Sequence, residues 1–148
     1  LKKGDLVKTL KNGFLPINTI GKSIINNIIT NERITDKLYI YTNIDYPEIF
    51  EPLILTGGHS ILIDEFKSEE EKVKAIKTLG SLYGTDDKLR LPACVDEIAN
   101  PYENEGMFKI YHIALENSNE TMNYGIYANG LLVESCPLIH IKKMIYTF

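Results

Sequence analysis

At 148 residues, 44% of them apolar, the chain has the size of one domain and enough apolar material for a substantial core. Its net charge of −4 and scattered Lys and Arg argue against a broad nucleic-acid surface, which needs clustered cations, and the Lys142-Lys143 pair is too short to make one. No stretch approaches the ~20 apolar residues of a membrane span, no signal peptide is visible, and Cys94 and Cys136 lack the spacing of a disulfide framework or a zinc site.

The two thiols point to a cytoplasmic or other reducing intracellular compartment. The sequence opens on Leu1-Lys2-Lys3-Gly4-Asp5 without a starting Met, which reads as a piece of a longer polypeptide.

In chain order the pattern is mostly β. Short segments rich in Ile, Val, Leu, Tyr and Thr alternate with turn residues. Leu6 to Leu10 is the first predicted strand, Asn12-Gly13 a two-residue hairpin signal, and Phe14 to Ile20 the return strand. Ser23 to Thr30 and Lys37 to Thr42 follow, and Leu53 to Asp64 holds two apolar runs broken at Gly57-Gly58. Ser68 to Leu82 is different: Val73, Ile76, Leu79 and Leu82 recur at helical spacing. Ser68 and Glu71 form a capping-box pattern, and Gly84 suits the exit. This predicts a surface helix with that stripe against the sheet. From Gly84 to Gly106 the Asp-, Pro- and Asn-rich stretch reads as a long loop with one short strand at most. Phe108 to Glu116, Gly125 to Ala128 and Leu131 to Glu134 complete the set, the last two joined by Asn129-Gly130. The expectation is one all-β domain over residues 1–148, mostly antiparallel, with one short surface helix.

Three places carry chemistry. Thr56-Gly57-Gly58-His59 lies between two apolar runs, and its glycines permit close approach of a backbone or a substrate. On its own, His59 reads equally as an active-site residue or as a hairpin-end His. The N-terminal segment combines Gly4-Asp5, an apolar strand, the Asn12-Gly13 turn and Ile17 to Ile20. The third place runs from Tyr111-His112 to Ala128-Asn129-Gly130-Leu131-Leu132-Val133.

Together and in this order the three resemble the Hint family, the module shared by inteins and Hedgehog proteins. Thr56-Gly57-Gly58-His59 is similar to the family's Thr-x-x-His motif, Tyr111-His112 to the Tyr-Asp of its late block, and Ala128 to Val133 to its closing strand. The resemblance spans Gly4 to Val133. It implies a flattened, disc- or horseshoe-like β fold with the N-terminus near the centre, close to Thr56, His59 and Ala128. It also implies a self-processing, single-turnover activity without metal or cofactor, in a monomer that acts on its own upstream segment rather than on nucleic acid or membrane. A Cys, Ser or Thr at the start of the domain attacks the preceding carbonyl and turns an amide into a thioester or ester. His59 then has the role of general acid for the leaving nitrogen, and Thr56 that of orienting the amide or stabilising developing charge.

The departures from the family pattern leave alternatives. The family's nucleophile falls one position before Leu1: either it stands just ahead of this sequence or the natural protein lacks it. His112 stands where many inteins have Asp; it reads either as a base for the attacking thiol or as a core His. Glu134-Ser135-Cys136 replaces the His-Asn and downstream nucleophile of splicing inteins, so N-terminal cleavage ending in hydrolysis is expected, without splicing. Cys136 reads as a downstream nucleophile or as a buried small residue. Cys94 reads as a reactive loop thiol or as a packed side chain. A catalytically silent Hint fold that binds protein is the alternative function.

Overall fold

The structure, a computed structural model, describes residues 1–117 and 119–141. It is built from antiparallel strands with one α-helix, in the order β1 (Leu6–Lys8), β2 (Phe14–Asn27), β3 (Leu38–Tyr41), β4 (Leu53–Thr56), β5 (Ser60–Ile63), α1 (Glu69–Leu79), β6 (Gly84–Thr85), β7 (Lys88–Pro92), β8 (Asn100–Pro101), β9 (Gly106–Leu115), β10 (Gly125–Ala128) and β11 (Leu131–Glu134). Residues 138–141 add one helical turn. The tail expected to run to Phe148 lies outside the described residues beyond Ile141. Among the described residues no helix is long and apolar enough to cross a membrane.

The strands form three sheets, ordered β1-β2-β9, β10-β11-β5-β7-β6 and β4-β3-β8. One main core draws on all three: Val7, Ile17, Tyr39, Ile61, Leu91 and Val133 are among its buried members. Such a core forms because every sheet has one apolar face to remove from water.

Several expectations change in the folded chain. Phe14 to Ile20 and Ser23 to Thr30 are one strand, because β2 stays paired with β9 from Ile17 to Asn27 with only a bulge between Ile17 and Thr19. The link from β1 to β2 is longer than a two-residue turn: Thr9 donates its amide to the Gly13 carbonyl, and its Oγ1 accepts from the Asn12 amide. Asn129-Gly130 is a true two-residue turn, with φ of 49° and 93° between the paired residues Ala128 and Leu131. Ser68 caps α1, accepting from the Glu71 amide, but the exit is Gly80, at φ 85°, and not Gly84. The helix buries Glu71 and Ala75 and leaves Val73 exposed, so the packed face is rotated from the stripe Val73, Ile76, Leu79. The stretch from Gly84 to Gly106 supplies three strands, of which β7 pairs along its length with β5.

A cation holds the loop after β7 in place. Arg33 Nε donates to the Cys94 carbonyl at 2.8 Å, and Nη2 reaches the carbonyls of Ala93, Asp96 and Ala99 at 3.1, 2.7 and 2.9 Å. Its guanidinium lies 4.7 Å from the centre of the Tyr39 ring. In the same loop the fully buried Asp96 carboxylate accepts from the hydroxyls of Tyr41 and Tyr46 and from the Ile98 amide. Losing the guanidinium would strand these carbonyls, and an unsatisfied buried polar group costs about 1–3 kcal/mol. Arg33→Leu is therefore expected to lower stability by about 3 kcal/mol or more, with Arg33→Lys recovering only part because an ammonium lacks the planar fork. Urea unfolding measures this, and a loss for Arg33→Leu below about 1 kcal/mol would count against the assigned role.

Candidate active centre

Thr56-Gly57-Gly58-His59 forms the turn from β4 to β5, and so from one sheet to another. The turn closes through the His59 amide donating to the Thr56 carbonyl at 3.0 Å. Its flanks are tied down by the Gly57 amide on the Lys37 carbonyl, the Ala93 amide on the His59 carbonyl and the Cys94 amide on the Gly57 carbonyl. The two glycines differ in their reasons for being there. A Cβ on Gly57 would lie 2.1 Å from the Ile34 carbonyl oxygen and 2.9 Å from Tyr39, whereas one on Gly58 would touch only Thr35 at 3.6 Å. Gly57 is thus required by the protein's own backbone, and Gly58 is not sterically required.

The His59 side chain turns toward the end of β11. Its imidazole lies against the Glu134 backbone. Burial holds the imidazole below the ordinary His range; the Glu134 carboxylate and the adjacent backbone oppose the shift, and Arg90 adds to it. His59 is accordingly neutral at pH 7.

The Glu134 carboxylate is itself held from three sides. Its Oε1 accepts from the Ser60 amide at 3.3 Å, and its Oε2 pairs with Arg90 Nε at 3.1 Å and accepts from Asn123 Nδ2 at 3.4 Å. Arg90 is fixed in turn by Thr85 Oγ1 and Asn123 Oδ1 and lies over the Tyr83 ring. Sequence reading missed this network. Arg90 and Glu134 look like surface charges, and the only signal was the place of Glu134 at the end of the closing strand.

His112 comes from the third sheet. It pairs with Gly21 in the β2–β9 ladder, and its Nε2 lies 3.4 Å from Ser23 Oγ. Burial pushes its pKa down, and the charge of His59 pushes it down further, so the two imidazoles are close enough to interact. Tyr111 and Ile113, on the opposite face of β9 by strand alternation, line a groove of about 870 Å³ with Leu1, Ile20 and Lys22. Leu1 is 86% exposed, which corrects the expectation of a buried N-terminus. The physical reason is a turn that carries the first residues outward, with the Asp5 amide bonded to the Lys2 carbonyl. Ala128 is also not beside His59, because its turn closes the end of β11 opposite Glu134.

The remaining candidates divide. Thr56 is half-buried, and among the described residues its hydroxyl has no protein partner. Cys94 joins the centre through its amide only; its thiol is buried near Arg33 and Thr78, and burial pushes the thiol up. The Cys136 amide donates to the Ile113 carbonyl at 2.9 Å, and its thiol is pushed up to about 11 by burial and by Glu134. Ser135 Oγ accepts from the Tyr124 amide at 2.9 Å. Among the described residues no three His, Cys, Asp or Glu side chains converge as a metal site. No family model, curated protein or solved structure matches the chain.

The two histidines carry a consequence for stability. Both are depressed below 6.5 in the folded chain, so the unfolded chain binds more protons as the pH drops. Stability is then fully kept above pH 6.5 and is lost as the pH falls through their folded values. Thermal unfolding between pH 8 and pH 5 is expected to show this decline, and the double substitution His59→Gln/His112→Gln is expected to flatten it. An equally steep decline in that variant would place the proton uptake elsewhere.

Proposed function

We propose that the chain is a Hint-type autoprocessing domain that cleaves the peptide bond ahead of a nucleophile standing immediately before Leu1. The observation that supports this reading most is that His59, in the Thr-x-x-His turn, lies beside Glu134 at the end of the closing strand and near enough to His112 of the late block to depress its pKa.

The chemistry follows from the protonation states. A Cys before Leu1 would attack the carbonyl carbon of the residue ahead of it. A C–S bond forms, the C–N bond breaks, and the thiol proton must end on the leaving nitrogen. An unprotonated amide nitrogen leaves poorly, so delivery of that proton is the demanding part. A neutral imidazole has one nitrogen free to accept a proton. Leu1 lies in the groove on the face of β9 opposite His112, so this reading requires the junction to leave that groove and reach His59, which takes the proton from the thiol and returns it to the nitrogen. The free Thr56 hydroxyl is available to orient the scissile amide. Water then attacks the thioester, releasing the upstream acid and regenerating the thiol. No cofactor enters these steps, and the substrate is the domain's own upstream segment. The free thiols of Cys94 and Cys136 accord with a reducing compartment.

A chain with Cys placed before Leu1 and a reporter peptide ahead of it is expected to cleave at that junction on addition of thiol, and not to form a ligated product. His59→Ala should slow cleavage by about 10²–10⁴-fold. Thr56→Ala should slow it less, because only a hydrogen bond is lost. Mass spectrometry over time, with circular dichroism to confirm folding, reads both. A folded His59→Ala chain cleaving at the parent rate would remove the case for Hint chemistry.

A further inference from the structure

We propose that Glu134 is the positioning residue of this centre: with Arg90 as its counterion, it braces against β11 the turn that carries His59. The inference rests on the proposed autoprocessing reaction only for its effect on rate; the effect on His59 itself is independent of it.

Two separate groups of one residue meet the same turn. The Glu134 carboxylate receives the amide of Ser60, the residue after His59, at 3.3 Å, and the His59 ring lies against the Glu134 backbone. The backbone that carries the ring is therefore fixed to one point on β11. That point is rigid, because Val133 pairs with Ile61 in the ladder and the Ser135 amide donates to the Tyr124 carbonyl. The carboxylate is not free to swing away. Arg90 Nε and Asn123 Nδ2 both engage its Oε2, and the side chains of Arg90 and Glu134 are only 22% and 14% exposed. An ion pair this sheltered from water is screened less than a surface pair, and its charges act on a neighbouring group more strongly.

The electrostatic consequence has a sign. Two charged groups act at His59, Glu134 from β11 and Arg90 from β7, and His59 in turn acts on His112 of β9. Glu134 favours the imidazolium, while Arg90 disfavours it. The pair thus holds His59 between two opposed charges. Removing either charge alone must move its titration, and in opposite directions. A merely structural brace would not show that reversal.

Geometry adds a second effect. A misplacement of about 1 Å in a catalytic group costs up to about 10²-fold in rate. Glu134→Gln keeps the carbonyl and the shape but loses the charge; Glu134→Ala also removes the side-chain acceptor for the Ser60 amide. A graded loss, with Ala slower than Gln and approaching 10²-fold, is expected if both effects operate.

The test follows the His59 imidazole Cε1–H resonance by NMR as a function of pH in the chain as it stands. It uses Glu134→Gln and Arg90→Gln, with His59→Gln to assign the signal. The expected result is a His59 titration moved to lower pH by Glu134→Gln and to higher pH by Arg90→Gln. If neither moves it, or both move it the same way, the proposal is overturned. Should Glu134→Gln fail to fold, Asn123→Ala loosens the carboxylate without removing a charge, and Arg90→Gln still supplies the sign. The cleavage assay with Cys before Leu1 is run in parallel, where the acidic limb of the rate profile should move with the NMR titration. Opposite NMR shifts in a chain that never cleaves would support the role of Glu134 and count against the autoprocessing reading alone. Cleavage at the parent rate and pH profile in a folded Glu134→Ala chain would overturn the positioning role.

Discussion

The centre depends on a cation that lies outside it. Arg33 collects the carbonyls of Ala93, Cys94, Asp96 and Ala99 around one guanidinium. Nη2 alone meets three of them with two hydrogens, so at least one bond is shared between acceptors. The loop gathered in this way presents its own amides to the turn: Ala93 to the His59 carbonyl and Cys94 to the Gly57 carbonyl. The same loop carries Asp96, whose buried charge is met by two tyrosine hydroxyls and a backbone amide. Burying both charges is tolerable because each has its hydrogen bonds made within the protein. The result is a polar knot under the Thr56–His59 turn, which fixes backbone that glycines would otherwise leave loose.

Above the knot, all three sheets converge. Thr56 ends a strand of the β4-β3-β8 sheet, His59 leads into β5 of the five-stranded sheet, and His112 arrives on β9 of the third. A site assembled at such a junction has side chains fixed by separate hydrogen-bonded ladders. Its geometry therefore follows from sheet packing and not from one flexible loop. The same convergence partly shelters the imidazoles, and burial leads the causes that lower both. Low basicity is thus a product of the architecture, and Glu134 moderates it.

Local signals made much of this visible in the sequence. Asn129-Gly130 specifies a turn through positive φ, Ser68 specifies a helix start through its oxygen, and the short apolar runs on either side of Gly57-Gly58 are strands. What escaped depends on partners distant in the chain. Lys88–Pro92 sits among Asp, Pro and Asn, and it becomes a strand because β5 offers it a ladder. Arg90 and Glu134 each look solvent-directed until β7 and β11 flank β5. Gly57 looked like room for a substrate, yet Ile34 and Tyr39 occupy that space. His112 was placed at the centre by its motif alone, while its electrostatic neighbour, His59, came only with the fold.

The C-terminal side of the centre lacks the groups that release at a C-terminal junction would need. A splicing end needs a side-chain amide that can attack its own backbone and a thiol ready to accept an acyl group. Ser135 carries no amide, and its Oγ already receives the Tyr124 N–H. Cys136 packs against the small cluster of Ala114, Leu138 and Ile141, with its thiol pushed up to about 11. At pH 7 such a thiol is ionised on the order of one part in 10⁴, against a few per cent for an ordinary cysteine. Its amide meanwhile ties the end of β11 to the Ile113 carbonyl, beside His112. The segment from Glu134 to Cys136 therefore works as a latch: it lies against His59, braces the Ser60 amide and ties β11 to β9. A residue selected for release at this position would have to give up those bonds, and the turn that holds His59 would loosen with them.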